Sequence, residues 1–320
     1  MSTLQSAQPM TLQVARFRAE ALGVVSIELI DPHGGELPGW EPGAHVELRL
    51  PNGLSRLYSL CGDSSDRYSY RLGIGLAASS SGGSAWLHAH LREGDLLKVM
   101  PPRNLFPLDT EAERYCFIAG GIGITPLLAM LQWCQRHGKP WRLLYCVRSR
   151  LRAAFAGELA ALPQVQLFCD DEAGGRLDVA AFMASLQPGE QLWCCGPQGL
   201  MQAVERHGSH LPAEYLHFES FDAAPGLADV AEHPFEVVLR RSNQRLQVPV
   251  GRSILDVLLE AGVKINYACR SGVCGACMTK VLGGAIEHRD MLLSDEQRKA
   301  GDRMLVCVSR AVSGELELDL

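Results

Sequence analysis

The chain has 320 residues, of which 47% are apolar and 21% are charged. This composition excludes an intrinsically disordered chain, and the length allows two or three domains of about 100–200 residues each. Lysine and arginine number 30 against 36 aspartates and glutamates, so the net charge of -6 offers no overall positive field for nucleic acid. The eleven cysteines are an odd number and cannot all pair, which leaves their role open.

The first thirty residues lack the uninterrupted apolar stretch of a secretory signal, and no window approaches a membrane-spanning length of apolar residues. We therefore expect a cytoplasmic protein with no membrane partner. Thiols in that compartment stay reduced, which argues against a disulfide framework.

Residues 1–106 contain short apolar runs separated by turn residues, and such close spacing predicts a small antiparallel β-barrel. The runs are residues 24–30, 46–50, 57–60 and 68–74.

Residues 107–224 alternate between strand and helix patterns, which predicts an α/β domain with a parallel sheet. The predicted strands are 115–119, 142–147, 165–169 and 191–195. The predicted helices are 126–137, 153–162 and one that begins near 198. Residues 225–233 are typical of a linker.

Residues 234–320 form a third segment with an α+β pattern. A hairpin is predicted from strands 235–240 and 245–249, followed by a helix that Ser253 caps and Gly262 ends. A cysteine-rich loop and short strands complete the chain.

The spacing of the cysteines in this third segment is the strongest signal. Cys269, Cys274 and Cys277 follow the pattern C-x4-C-x2-C, and Cys307 lies further along the chain. This is the plant-type spacing for a 2Fe-2S cluster. A structural zinc site also uses four cysteines, but zinc ribbons usually present two C-x2-C pairs, and here the fourth cysteine stands alone.

A glycine-rich turn lies between a predicted strand and a predicted helix. It contains Gly120, Gly121 and Gly123, followed by Thr125 as a candidate N-cap. Such a turn lets the backbone approach a pyrophosphate at the helix N-terminus. The motif alone is weak, because glycines also serve helix–strand packing, but Cys195, Gly196 and Pro197 end a later strand of the same sheet, where ligands bind.

A second candidate anion site lies in the barrel. Arg56 begins the sequence RLYS, and Gly82 and Gly83 precede a predicted helix with Ser84 as its candidate N-cap. A glycine pair before a helix can hold a phosphate that the arginine neutralises. Taken alone, either piece also fits ordinary strand and turn chemistry.

The motifs RLYSLC, GGSAWL, GGIGITP, CCGPQGLM, HFESF and C-x4-C-x2-C occur in an order that resembles one family. The chain resembles the flavin-dependent reductase components of Rieske non-haem iron oxygenases, in the group of phthalate dioxygenase reductase and vanillate demethylase reductase. The resemblance spans nearly the whole chain. It implies an FMN-binding β-barrel, an NAD(H)-binding α/β domain and a C-terminal plant-type ferredoxin domain with a β-grasp fold.

The resemblance also implies roles for individual residues. The expected flavin-binding residues are Arg56, Leu57, Tyr58, Ser59, Gly73, Gly82, Gly83 and Ser84. The expected nucleotide-binding residues are Gly120, Gly121, Gly123, Thr125, Cys195, Gly196 and Pro197. Phe221 is expected against the flavin ring, so Cys195 and Phe221 are the candidate catalytic residues.

The function that the resemblance implies is electron transfer from NADH through FMN and the cluster to a terminal Rieske oxygenase. Arg148 leaves NADPH open as the electron donor. We expect a monomer. Two alternatives remain at this point, namely an NAD(P)H-dependent reductase for a ferredoxin or another acceptor, and a redox-sensing iron–sulfur protein.

Overall fold

The computed structural model describes residues 8–76, 82–221, 233–267, 272, 275–290, 292–312 and 314–320. The chain divides into two compact units, Met1–Phe221 and Asp222–Leu320. Residues 225–232 of the predicted linker lie outside the described residues, as do Cys269 and Cys274. The predicted boundaries between three domains stay a prediction.

An antiparallel barrel forms the first part of unit 1, as expected. Its strands are β1 (Met10–Ala21), β2 (Val24–Ile30), β3 (Ala44–Arg49), β4 (Ser55–Ser59), β5 (Ser69–Gly75), β6 (Leu96–Val99) and β7 (Arg103–Asn104). The strand order is β4-β3-β6-β1-β2-β5, with β7 paired to β3. A bridge between Leu60 and Leu72 joins the two ends of this sheet. One helix, α1 (Gly83–His90), lies between β5 and β6.

The longest barrel strand, β1, has no counterpart among the predicted strands. Its first half places Leu12 and Val14 in the core, but its second half carries Arg16, Arg18 and Glu20 and has no apolar run. The pairing of β1 with β2 shifts register twice, which also interrupts a strict two-residue alternation.

A five-stranded parallel sheet forms the second part of unit 1 and confirms the predicted α/β fold. Its strands are β8 (Arg114–Gly120), β9 (Trp141–Val147), β10 (Val165–Cys169), β11 (Glu190–Cys195) and β12 (Leu216–Glu219). The helices are α2 (Ile124–Arg136), α3 (Ala156–Leu159), α4 (Asp170–Ala173), α5 (Val179–Ala184) and α6 (Gln198–His207). In the order β10-β9-β8-β11-β12, the chain adds β9 and β10 on one side of β8, and then β11 and β12 on the other side. Ligands bind at such a switch point, so the crevice is expected at the carboxyl ends of β8 and β11.

The helix predicted at residues 153–162 is much shorter in the structure. A 3-10 turn at Arg150–Arg152 precedes α3, which has only four residues. Phe155 separates the two with a left-handed backbone (φ 59°), a conformation that a helix cannot include. Its ring is buried, so packing of the aromatic side chain outweighs the backbone cost.

The barrel and the parallel sheet meet at Gly73. A Cβ atom at this position would lie 2.5 Å from Cγ2 of Thr125 and 3.1 Å from the Phe155 ring. The guanidinium of Arg71 lies over the same ring, 4.8 Å from its centroid, and donates to Glu158 at 3.0 Å. The absence of a side chain at Gly73 therefore brings the barrel directly against the residues that follow the glycine-rich turn.

Unit 2 is a mixed sheet with a helix against it, the expected β-grasp arrangement. Its strands are β13 (Phe235–Leu239), β14 (Gln244–Val248), β15 (Met278–Gly283), β16 (Ile286–Glu287), β17 (Arg303–Leu305), β18 (Arg310–Ala311) and β19 (Glu315–Leu318). Its helices are α7 (Ile254–Glu260) and α8 (Asp295–Ala300). The main sheet has the order β14-β13-β19-β15-β17, with β13 and β19 parallel. Ser253 caps α7 as predicted, since its side chain accepts from the backbone of Asp256.

No helix among the described residues has both the length and the apolar character that crossing a bilayer requires.

We predict that Gly73→Ala lowers the stability of unit 1, because the added methyl group would overlap Thr125. Overpacking of this kind costs about 1–3 kcal/mol, read as a lower thermal unfolding midpoint. Gly199→Ala is the matched control, because a Cβ atom there meets nothing within 4 Å and α6 gains helix propensity. Equal unfolding midpoints for the two variants would contradict the close contact.

Candidate functional site

The two halves of the predicted flavin-phosphate site lie together in the barrel. A Cβ atom at Gly83 would lie 2.6 Å from both Cγ and Nε of Arg56, so the backbone at the start of α1 rests on the arginine side chain of β4. The first turn of α1 contains no acidic residue. A cation beside a helix N-terminus is an arrangement that suits a phosphate.

The expectation that Ser84 caps α1 is wrong. The helix begins at Gly83, and its N-cap is Gly82 in a left-handed conformation (φ 94°), with no side-chain cap hydrogen bond. Gly82 is needed there because this backbone conformation strains other residues. The cap residue Gly82 therefore offers no side-chain acceptor to the N–H groups of the first turn of α1.

The remaining residues of the RLYS motif occupy successive positions of β4. Ser59 is buried, whereas Leu57 and Tyr58 are half-buried. Burial raises the pKa of Tyr58 above its ordinary value, and the positive charge of Arg56 acts in the opposite direction. Tyr58 therefore stays a neutral aromatic ring at the barrel wall.

The two turns of the predicted nucleotide site are in direct backbone contact. A Cβ atom at Gly123 would lie 2.2 Å from the carbonyl oxygen of Cys195, and one at Gly120 would lie 2.4 Å from Cδ of Pro197. Both turns lie at the carboxyl ends of β8 and β11, which are adjacent parallel strands. The structure thus joins the two segments that the sequence could only place at the same edge.

The expectation that Thr125 caps α2 is also wrong. The helix begins at Ile124 with Gly123 as its N-cap, and the Thr125 hydroxyl donates to the carbonyl of Ile122 at 3.0 Å. Gly123 occupies the cap because the contact with Cys195 excludes a side chain. Gly121 precedes it in a 3-10 turn with φ 55°.

The two candidate catalytic residues differ in accessibility. Cys195 is fully buried at the end of β11, whereas Phe221 follows β12 and is 42% exposed. Exposure leaves the Phe221 ring accessible to a planar partner, and the closed turn places Cys195 beside Gly123.

Glu219, at the end of β12, is a site residue that the sequence analysis missed. Its Oε2 atom is buried and has no hydrogen-bond partner within the part of the chain that the structure describes. Burial raises the pKa of Glu219 to about 8, and the nearby Ser59 hydroxyl partly opposes this rise. A mostly protonated carboxyl group therefore lies beside the RLYS motif at neutral pH. In the sequence, HFESF shows only an acid between two aromatic residues, and this pattern does not indicate that the carboxyl group is buried.

Two of the four predicted cluster ligands are described, and they lie at the same end of unit 2. Cys277 directly precedes Met278, which pairs with Leu305 across β15 and β17, two residues before Cys307. Both thiols are buried. Gly272 and Gly275, in the same loop, have left-handed backbones (φ 76° and 70°), which allow a tight turn around a metal centre. These residues fit a thiolate-bound cluster.

The cysteines of unit 1 are in a different environment. Burial raises the pKa of four of them to about 12, namely Cys61, Cys116, Cys134 and Cys146. Thiols that stay protonated are poor nucleophiles and poor metal ligands, which agrees with a packing role.

Comparison with known proteins agrees with this arrangement of modules. Residues 237–312 match the family described as the 2Fe-2S iron-sulfur cluster binding domain. The chain is 41% identical over 321 residues to phenoxybenzoate dioxygenase subunit beta of Ectopseudomonas oleovorans, covering 100% of both chains. It is 39% identical over 316 residues to tetrachlorobenzoquinone reductase of Sphingobium chlorophenolicum, covering 97% of both chains.

A solved structure decides the family. Phthalate dioxygenase reductase, described as a modular structure for electron transfer from pyridine nucleotides to a 2Fe-2S centre, superposes with a TM-score of 0.80. The two chains share 39% identity, and the match covers 98% of each. The chain belongs to the phthalate dioxygenase reductase family. The resemblance inferred from the motifs and the predicted fold of each part are therefore confirmed, and the chain, as a member of this family, is an oxidoreductase.

The buried carboxyl group of Glu219 predicts that the stability of this reductase depends on pH. Folded Glu219 keeps its proton up to about pH 8, whereas the unfolded chain loses it near 4.5. Between these values the folded state binds more protons, so the free energy of unfolding falls as pH rises, by at most about 1.4 kcal/mol per pH unit. Glu219→Gln removes this contribution, which denaturant unfolding at about pH 5.5 and pH 7.5 measures.

The matched control for that measurement is Glu205→Gln, an exposed carboxyl on α6. This control should keep the pH dependence of the unmodified protein. An unchanged pH dependence in Glu219→Gln would show that the Glu219 carboxyl is ionised in the fold.

Proposed function

We propose that this chain is the reductase component of a Rieske-type oxygenase system, which transfers electrons from NADH through FMN and a 2Fe-2S cluster to a terminal oxygenase. The observation that carries the proposal is the presence of three features in one chain. Arg56 lies beside the N-terminus of α1 on the barrel, two turns are in contact at the carboxyl ends of β8 and β11, and residues 237–312 match a 2Fe-2S domain. The family membership over the full length supports this order of modules.

The chemistry of the carriers explains why three modules are needed. A nicotinamide supplies two electrons as a hydride and a 2Fe-2S cluster accepts one, so a bound flavin converts one kind of transfer into the other. The protein supplies binding, orientation and electrostatics. No side chain has to act as a general acid or base for this sequence of transfers.

For the flavin we propose that Arg56 and the N-terminus of α1 bind the phosphate, with Gly82, Gly83 and Ser84 around it. Leu57, Tyr58, Ser59 and Gly73 belong to the same proposed site. We assign FMN rather than FAD, because α1 follows Gly82 at once and leaves no additional segment for an adenosine half.

For the nicotinamide nucleotide we propose that Gly120, Gly121, Gly123 and Thr125 bind the pyrophosphate, together with Gly196 and Pro197. Cys195 would then lie near the nicotinamide. The charge at the end of β10 favours NADH over NADPH. Arg150 is bound by Glu172 through two hydrogen bonds of 2.8 and 2.7 Å, and three acids begin α4 beside it, so a 2′-phosphate would meet negative charge.

For the cluster we propose Cys269, Cys274, Cys277 and Cys307 as the four ligands, and a monomer as the working state. Positive and negative charges nearly balance from Phe235 to the C-terminus. Docking to the oxygenase therefore relies little on long-range attraction, and electron transfer depends only modestly on salt.

An acceptor other than an oxygenase is the second candidate. One relative at 39% identity is itself named for the reduction of tetrachlorobenzoquinone, so the same scaffold also occurs in a protein named for a small organic acceptor. Reduction of a quinone at rates above those with a Rieske oxygenase would favour this candidate.

The proposed path predicts that the two artificial acceptors respond differently to loss of the cluster. Cys307→Ser should abolish NADH-dependent reduction of cytochrome c, because one ligand of the cluster is lost. Ferricyanide reduction should survive, because this acceptor takes electrons from the flavin. Cys146→Ser, a half-buried thiol of β9, is the control and should keep both activities. Undiminished cytochrome c reduction by Cys307→Ser would contradict the path.

A second prediction concerns Phe221, which we propose covers the flavin and moves aside for the nicotinamide. Phe221→Ala should lower the KM for NADH and strengthen the charge-transfer absorbance, because the competing ring is gone. Phe221→Tyr keeps a ring and should behave like the unmodified protein. Stopped-flow spectroscopy at a series of NADH concentrations measures the hydride-transfer rate, its dependence on NADH and the charge-transfer absorbance. If the rate and the absorbance are unchanged in Phe221→Ala, the proposed gating role of Phe221 is refuted.

A further inference from the structure

A buried pair of ionisable side chains lies in unit 2, between β16 and α8. The side chain of Asp290 is fully buried and that of His288 is 9% exposed, with 3.4 Å between Nδ1 of His288 and Oδ1 of Asp290. Among the described residues, neither ring nitrogen of His288 has a hydrogen-bond partner. A charged group this deeply buried requires a structural or functional reason, because burial without partners is costly.

Donors surround the Asp290 carboxylate from three sides. Its Oδ2 accepts from the backbone of Leu293 at 2.8 Å and of Leu292 at 3.2 Å. The Ser309 hydroxyl lies 3.5 Å from Oδ1, and that hydroxyl itself accepts from the backbone of Arg289, so its proton is directed to the carboxylate.

Arg298 of α8 places a positive charge beside the Asp290 carboxylate. Its guanidinium donates to the backbone carbonyl of Asp290 at 2.7 Å and lies 3.9 Å from the carboxylate. The partners of Asp290 are therefore donors and a cation, which is the environment that a negative charge requires.

The same segment forms the support of the proposed cluster loop. A Cβ atom at Gly272 would lie 2.7 Å from Cγ2 of Val308 and 3.1 Å from Cα of Asp290, and one at Gly275 would lie 2.7 Å from Cδ2 of Leu292. Ser309 follows Cys307 by two residues. Asp290 thus connects the loop that carries three of the proposed ligands with the turn that carries the fourth.

We propose that Asp290 is a positioning residue for the iron–sulfur centre, which holds the Cys307 turn against Gly272 and lowers the reduction potential of the centre through its buried negative charge. Reduction adds an electron, and a fixed negative charge nearby opposes that addition, most strongly where water is excluded. The proposal rests on the proposed function, since it requires the cluster to be present.

The test is the cluster midpoint potential of the full-length holoprotein, with Asp290→Asn compared with the unmodified chain. An asparagine keeps an oxygen that accepts from Leu292 and Leu293 but removes the charge. We expect a more positive midpoint in an anaerobic titration followed by electron paramagnetic resonance. At a fixed potential, the ratio of reduced to oxidised cluster should rise about tenfold, which is 59 mV for one electron.

The matched control is Asp302→Asn, which removes the same charge from an exposed site of unit 2 that pairs with Arg303. Its midpoint should equal that of the unmodified protein. Asp290→Glu keeps the charge, so its midpoint should lie closer to the unmodified value than that of Asp290→Asn. Ferricyanide reduction should be unchanged in all three, because unit 1 is not altered.

If Asp290→Asn has full iron content and the same midpoint potential as the unmodified protein, the proposal is overturned. If Asp290→Asn fails to bind iron, Arg298→Gln decides instead. Removal of the cation leaves the carboxylate charge less compensated, so a more negative midpoint is expected, and an unchanged midpoint would overturn the proposal. An unmodified protein without a 2Fe-2S signal would refute the proposed function itself, which is a distinguishable result.

Discussion

Backbone contact without side chains is the constraint on which unit 1 depends. Gly120 and Gly123 touch the turn at residues 195–197, and Gly73 brings the barrel against Thr125. At each of these glycines a single added carbon would overlap a neighbour by more than ordinary packing tolerates. The lack of a side chain at these glycines therefore sets the distances between the barrel, the glycine-rich turn and the turn at residues 195–197. Attraction between charged groups, such as Arg71 with Glu158, adds to an alignment that the steric contacts already determine.

In unit 2, buried charged side chains align the backbone segments. Its cluster-side segments are short and irregular, so they lack the long hydrogen-bonded strands that align unit 1. The carboxylate of Asp290 collects donors from several of these segments, and buried Arg310 donates to the carbonyls of Arg252, Pro249 and His233. Each charge orders backbone groups that no strand or helix would otherwise satisfy. The two units thus fix the positions of their loops by different physical means.

Local signals made most of the fold predictable. Strand alternation, the glycine turns and the cysteine spacing depend on neighbours in sequence. They identified most of their elements, but alternation missed β1, whose second half has no apolar run. Two further errors came from contacts that the local sequence does not show. The start of α2 was placed two residues late, because only the contact of Gly123 with Cys195 explains why a glycine caps the helix. The helix expected at 153–162 was too long because the packing of Phe155 reverses its backbone.

The candidate site shows the same division. The cysteine pattern indicates candidate ligands through spacing alone, so Cys277 and Cys307 could be proposed from the sequence. Glu219 could not, because an acid in HFESF acquires its meaning only when β12 places it beside Ser59 and away from water. Burial of a carboxyl group depends on the folded unit, and the spacing of residues in the sequence does not predict it.

The left-handed backbone of Phe155 has an evolutionary consequence. Glycine at 155 would relieve a conformational cost of about 1–2 kcal/mol, but it would remove the ring that packs against Gly73 and lies under Arg71. A methyl group at 73 would still meet Cγ2 of Thr125, which serine at 125 would lack. Positions 73, 125 and 155 are therefore expected to change together among relatives, as one inherited unit rather than three independent sites.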